Sequence, residues 1–249
     1  MRITRETVAD GVREQIFAVG DVPGVLWTPS AATGPRPLVL VGHGGGQHKK
    51  EGSVLARAIP FVRSCGFAVA AIDAPGTGDR PSHPTIRRLV ATIEDRTANG
   101  TPVGSAWPEL CDTVAAELVP DWRATLDTLQ SLETVGRDQP VGYHGVSQGS
   151  EIGIRLTAVE PRIMAAVVGL TGNEWLTRPA ARVTVPVEFL VQWDDEEVPR
   201  DGAMRIFEAL ATTEKPFHAN GGGHHQVPHF EIDSAIRFFT RHLGTGSMS

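Results

Sequence analysis

The chain has 249 residues, of which 41% are hydrophobic and 21% charged, with a formal net charge of -6. That is enough apolar material for a sizeable core, and the acidic balance offers no electrostatic reason to expect nucleic acid or an anionic membrane as a partner. Only two cysteines occur, Cys65 and Cys111. They make no disulfide framework and read as free thiols packed as small core residues in a reducing cytoplasm.

Met1 to Glu6 are followed by no apolar signal region, and no apolar run approaches the ~18–20 residues that a membrane helix requires. A cytoplasmic protein without a membrane segment is therefore expected. Residues 1–30 are β-rich: the runs 15–19 and 24–28 flank Gly20-Asp21-Val22-Pro23 and predict an antiparallel hairpin. A Pro/Gly/Ala loop over 30–37 leads into 37–41, a continuous apolar run of the kind found in central parallel strands covered on both faces. It ends in Gly42-His43-Gly44-Gly45-Gly46. A helical pattern follows over 53–63, with Val54, Leu55, Ala58, Ile59 and Val62 on one side, and then a second buried strand over 67–73.

Residues 80–112 are the least regular part. They are too many for an ordinary connection and predict a partly helical excursion that covers the ends of the strands. Helical spacing resumes over 111–132, where Pro120 implies a kink or two helices. The apolar run at 141–146 enters Gly145-Val146-Ser147-Gln148-Gly149 and then a helix through Ala158. Strands are predicted at 163–170, 185–192 and 215–219, and helices at 200–210 and 230–243. The tail 244–249 reads as disordered. Alternating buried strands and helices behind a hairpin describe an α/β chain, with a mostly parallel central sheet, helices on both faces and a single domain over 1–249. In such sheets ligands bind at the carboxyl ends of the strands, where every chemically interesting cluster of this chain lies.

Gly145-x-Ser147-x-Gly149 between a strand and a helix has the spacing of a nucleophile elbow, a strained turn that lifts the serine hydroxyl clear of the sheet. A serine hydroxyl needs a base. His224, directly after Gly221-Gly222-Gly223, is the first choice and His225 the alternative. The base needs a carboxylate to hold its tautomer, and Trp193-Asp194-Asp195-Glu196-Glu197 offers four. Asp195 is preferred because it precedes Val198-Pro199 by three residues; Asp194 is the runner-up, and Glu196 and Glu197 read as solvated charges. Backbone N–H groups of Gln148 and of Gly44 or Gly45 are expected to hold an oxyanion, with His43 shaping their loop. Trp107, Trp175 and Trp193 sit at strand ends and are candidates for lining a pocket. A metal site among His218, His224, His225, His229, His43 or His48 competes weakly, since neither His-Glu-x-x-His nor Cys-x-x-Cys is present. No metal is expected, and His144 reads as a buried supporting residue.

His43-Gly44-Gly45-Gly46, the Gly145–Gly149 motif, Asp195 before Val198-Pro199, Gly223-His224 and the loop Asp73-x-x-Gly76-x-Gly78 together resemble the α/β-hydrolase superfamily in kind and order. The resemblance implies the α/β-hydrolase fold, with Ser147 as nucleophile, Asp195 as acid and His224 as base. The short span 171–185 leaves no room for the helical cap of lipases and haloalkane dehalogenases, and a serine at 147 departs from dehalogenases, epoxide hydrolases and dienelactone hydrolases. The implied activity is hydrolysis of a small carboxylic ester, or a lactone or thioester, through an acyl-enzyme and without a cofactor. A peptidase, an acyltransferase or a non-catalytic binding protein on the same fold are the alternatives. The expected partner is a small-molecule ester, with a homodimer left open and neither nucleic acid nor membrane.

Overall fold

The computed structural model describes residues 1–244, so the last five residues of the expected disordered tail lie outside the described residues. The strands are β1 (Arg2–Ala9), β2 (Val12–Val19), β3 (Val22–Pro29), β4 (Leu38–Gly42), β5 (Ala68–Ile72), β6 (Val141–Val146), β7 (Ile163–Gly169), β8 (Val187–Gln192) and β9 (Phe217–Asn220). The helices are α1 (Gly52–Cys65), α2 (Pro84–Ala98), α3 (Ala106–Gln130), α4 (Gln148–Thr157), α5 (Thr177–Ala180), α6 (Arg200–Ala209) and α7 (Phe230–Leu243).

All the strands join one sheet in the order β1-β2-β3-β5-β4-β6-β7-β8-β9. From β5 to β9 every pairing is parallel, while β1, β2 and β3 form an antiparallel meander that docks on β5. β4, β5 and β8 are buried at every residue, which is why β4 and β5 read as unbroken apolar runs and β8 as one broken only by Glu188 and Gln192. Successive side chains of a strand point to opposite faces. Leu38 and Leu40 thus join the core under α3 and α4, and Val39 and Val41 the core under α1 and α7. The six parallel strands β5, β4, β6, β7, β8 and β9 direct their carboxyl ends to one rim, where the loops that follow them meet.

The structure departs from the expectations at the N-terminus and fills in two points they left open. The β-rich start is three strands, not two, because all eight residues of β1 are exposed and it pairs with β2 alone. An edge strand without a buried face leaves no apolar alternation to read. The excursion over 80–112 contains α2 and the first turns of α3, attached to the core through Ile86, Leu89 and Leu110. The span holding Pro120 is one 25-residue helix, not two. The apolar stripe Leu110, Val114, Leu118, Trp122, Leu126 and Leu129 runs continuously past the proline, so packing overrides the missing N–H.

α7 is fastened to the sheet by Phe239, which meets Phe61 of α1 edge-on at 5.4 Å and His144 of β6 at 6.4 Å. Gly142 makes room for it, since a Cβ there would stand 2.7 Å from the ring. Phe239→Ala is expected to destabilise the protein by about 3–5 kcal/mol through the cavity it leaves. Urea unfolding checks this, with a lower midpoint and an unchanged slope as the expected result.

Candidate active site

Ser147 sits between β6 and α4 with φ 56° and ψ −127°, a conformation that a side-chain-bearing residue occupies only under constraint. The constraint is visible on both sides. A Cβ on Gly145 would lie 2.7 Å from the Gly149 carbonyl, and one on Gly149 3.0 Å from the Gly42 carbonyl oxygen. Behind the turn, Ser147 N–H donates to the Gly169 carbonyl at 3.0 Å, the Ser150 hydroxyl accepts the Gly169 N–H at 2.7 Å, and Tyr143 donates its phenol to the Gly149 carbonyl at 2.7 Å. The first turn of α4 carries Glu151, whose buried carboxyl accepts from Thr171 at 2.8 Å and Arg155 at 3.1 Å. Burial raises its pKa against those bonds.

Three distant segments meet at the hydroxyl. His224 Nε2 lies 3.1 Å from Ser147 Oγ, and His224 Nδ1 lies 2.8 Å from Asp195 Oδ2. The other oxygen of Asp195 accepts the N–H groups of Glu197 at 2.9 Å and Val198 at 2.8 Å, which aims the carboxylate at the imidazole. His225 instead turns outward, its side chain 77% exposed, and meets Glu197 at 3.1 Å. Asp194 accepts the Gly222 N–H at 3.2 Å and makes no contact with His224. Glu196 and Glu197 are exposed, as expected of solvated charges, and Glu196 also accepts the backbone N–H of His224 at 3.0 Å and tethers the histidine loop. Backbone hydrogen bonds hold its pKa down.

The glycine loop after β4 is held from behind. His43 Nδ1 donates to the Gly44 carbonyl at 2.8 Å and its Nε2 accepts the Ala74 N–H at 3.1 Å, so the ring is neutral and burial pulls its pKa down. Buried Asp73 accepts the Lys49 backbone at 2.8 Å, the Lys49 ammonium at 2.6 Å and the Asp79 backbone at 2.9 Å. That carboxylate therefore ties the loop after β4 to the loop after β5, which explains the Asp73-x-x-Gly76-x-Gly78 pattern. The two candidate loop donors differ: Gly44 N–H is taken by Gln47 Oε1 at 3.1 Å. Among the described residues, the N–H groups of Gly45 and Gln148 donate to no other group of the chain.

These groups open on a cavity of about 610 Å³, walled by Ser147, His224, Gly44, Gly45 and Trp107 and by apolar Val146, Leu170, Leu190, Val227 and Ile232. Leu170, at the end of β7, also has a positive φ of 53°. Trp107 comes from the 80–112 segment and reaches over Gly45. The other two tryptophans correct an expectation. Trp175 is 58% exposed, Trp193 is 46% exposed with Arg200 stacked 4.1 Å over its ring, and neither lines the cavity. They follow strands β7 and β8, but their side chains turn outward.

Sequence reasoning missed one cavity group, Arg57, and placed another, His144, as a buried supporting residue, which its burial fits. His144 is packed between Phe61 and Phe239 with an unpartnered Nδ1. Burial and the nearby Arg57 drive its pKa well down. Arg57 donates from Nε to the Ser53 carbonyl at 2.8 Å, while its buried Nη1 has no partner. Burial lowers its pKa to about 10, so it stays a cation at neutral pH. The available signal was a charge between Val54 and Phe61 on the apolar stripe of α1. The competing histidine constellation is dispersed. His218 pairs with Glu231 at 2.7 Å and lies 3.8 Å from Glu188, the one trio among the described residues with donor atoms within 4.8 Å of one another.

No family model matches the chain, and no curated protein matches it in sequence. Among solved structures it is similar to a cold-adapted esterase from an Arctic intertidal metagenomic library, with polyethylene glycol bound, at 32% identity and a TM-score of 0.81 over 98% of this chain and 100% of that one. Acetyl xylan esterase 1 of a Thermoanaerobacterium matches at 15% identity and a TM-score of 0.70, over 97% of this chain and 88% of its own. An esterase of Pyrococcus furiosus matches at 13% identity and 0.66, over 94% and 93%. The last two likenesses concern the fold alone.

A pH dependence of stability follows from the buried imidazoles. The folded pKa of His144 lies below its ordinary 6.5. Unfolded chains therefore take up protons first as the pH falls, and this contribution to stability is complete above 6.5 and lost below it. Glu151, with its pKa raised, acts with the opposite sign, contributing stability that is lost as the pH rises above 4.5. Comparing urea midpoints of wild type and His144→Leu between about pH 7 and 5 isolates the histidine. Wild type is expected to lose more stability on acidification than the variant; parallel curves would contradict the assignment.

Proposed function

The chain belongs to the α/β-hydrolase superfamily, as one of its carboxylic ester hydrolases, and from that we propose that Ser147 is its nucleophile, His224 the general base and Asp195 the acid that orients it. The observation that carries this reading is the unbroken line from Ser147 Oγ through His224, at 3.1 Å and 2.8 Å, to Asp195 Oδ2.

On this reading His224 Nε2 takes the hydroxyl proton as Oγ attacks the ester carbonyl carbon. Asp195 accepts from Nδ1–H throughout, fixing the tautomer and stabilising the imidazolium. The carbonyl oxygen, now an oxyanion, receives the N–H groups of Gln148 and Gly45. A donor of this kind contributes about 10²–10³ in rate. Gly44 is the weaker candidate because its N–H already serves Gln47. The tetrahedral adduct expels the alcohol, which carries away the proton on His224. A water molecule, deprotonated by the same nitrogen, then releases the acid and restores Ser147. Every group needed for these steps is a protein group, and the mechanism calls on no cofactor.

The cavity of about 610 Å³ favours an ester of small or moderate size. Trp107, over the glycine loop, is the tryptophan we assign to substrate contact.

Ser147→Ala and His224→Ala are each expected to lower kcat/KM on p-nitrophenyl butyrate by about 10⁴-fold or more, with Ser147→Ala also losing reaction with a fluorophosphonate probe. Asp195→Asn is expected to lose about 10⁴-fold and Asp194→Asn far less. The reverse ranking of the two aspartates would move the acid to Asp194, and a silent His224→Ala would remove the base.

A further inference from the structure

One charged group in the cavity wall has no part in the proton transfers. Arg57 lies on α1, 5% exposed, in the stripe that buries Val54, Ala58 and Phe61. Its only hydrogen bond among the described residues runs from Nε to the Ser53 carbonyl one turn back. Nη1 is shut off from solvent without a partner, and Nη2 donates to no group either.

Burying a cation without a counter-charge is among the most unfavourable arrangements a fold can hold. The surroundings make it worse. His43 and His144 are both pushed further toward neutrality by the guanidinium and offer it no negative charge. The carboxylates of the same wall are engaged elsewhere. Glu231 accepts from Asn220 at 2.9 Å and pairs with His218 at 2.7 Å, and Glu197 pairs with His225 at 3.1 Å. No carboxylate among the described residues comes within 4.0 Å of Arg57. A leucine or methionine would complete the stripe of α1 without this penalty.

We propose that Arg57 binds an anionic group of the substrate, so that the preferred esters carry a carboxylate at the end remote from the bond that is broken. Arg57 lines the cavity, and its Nη2, which donates to no group of the described chain, offers a carboxylate a charge-assisted hydrogen bond. Apart from the ester linkage the substrate is unchanged in the reaction: water still divides the ester into acid and alcohol, and the remote carboxylate stays ionised. The inference rests on the ester-hydrolase reading of Ser147 and adds the chemical class of its substrate.

The test compares esters of equal carbon number in a pH-stat. On the acyl side, the monomethyl half-esters of succinate, glutarate and adipate are set against methyl butyrate, pentanoate and hexanoate. On the alcohol side, 3-acetoxypropionate is set against propyl acetate. Wild type is expected to favour at least one carboxylated member by about tenfold or more in kcat/KM, the range of a charged hydrogen-bonded contact. Arg57→Met is expected to collapse that ratio, and Arg57→Lys to keep part of it. Neutral esters winning every comparison in wild type would overturn the proposal while leaving the ester-hydrolase reading intact. A second measurement needs no turnover: monomethyl glutarate titrated calorimetrically into Ser147→Ala and into Ser147→Ala/Arg57→Met. Binding about tenfold tighter to the first supports the proposal even if no ester is cleaved, and equal binding overturns it. Arg57→Met is also expected to melt no lower than wild type. A lower Tm together with an unchanged ester ratio would make the guanidinium a support of the fold and end the proposal.

Discussion

The reactive end of this molecule depends on a steric constraint: three backbone segments touch where no side chain fits between them. The end of β4 at Gly42, the end of β6 at Gly145 and the start of α4 at Gly149 approach so closely that a Cβ on any of them would be 3.3 Å or less from a neighbouring backbone atom. This contact forces the chain through the positive φ of Ser147 and delivers the hydroxyl to the rim of the sheet. The strain is held by buried hydrogen bonds from Tyr143 and around Ser150 rather than by the turn itself. A loop with the same five residues but no such backing would relax.

Around that fixed point the loops are aligned by carboxylates acting on backbone amides. Asp73 joins the loops after β4 and β5, Asp195 gathers the turn after β8 while facing His224, and Glu196 holds the backbone of the histidine loop. Each loop can therefore be long and glycine-rich, yet present its amides and side chains in one place. Such preorganisation is what an ester hydrolase requires, because donors already aimed at the developing oxyanion need no reorganisation during the reaction.

The charge pattern of the cavity is as uneven as its shape. Two imidazoles, His43 and His144, are kept neutral by burial, Glu231 is hydrogen-bonded to His218 and Asn220, and Arg57 stands without a counter-ion. A site that bound only apolar esters would have no use for that cation. The apolar wall of Leu170, Leu190, Val227 and Ile232 beside it suits the proposed substrate, a hydrocarbon chain with a charged end.

Much of this was legible in the order of the residues. Buried parallel strands announce themselves as apolar runs because both their faces are covered, so β4 to β8 could be read directly, with α1 and α4, and the glycine spacing at the elbow marks a place where backbones must touch. Short-range chemistry also pointed to Ser147, to His224 ahead of His225, and to Asp195 ahead of Asp194, the side chains that packing brings into one line at 3.1 Å and 2.8 Å. What could not be read depends on neighbours far away in the chain. β1 has no buried face of its own, Trp175 and Trp193 follow strands yet turn outward, and Gly44 differs from Gly45 only because Gln47 takes one amide. The solitude of Arg57 belongs here too, since whether a charge has a partner is a property of the space around it. Patterns local to the chain settle which elements form and in what order; only the packed structure decides which polar groups are satisfied, because hydrogen bonds and ion pairs act over a few ångströms whatever the separation in sequence.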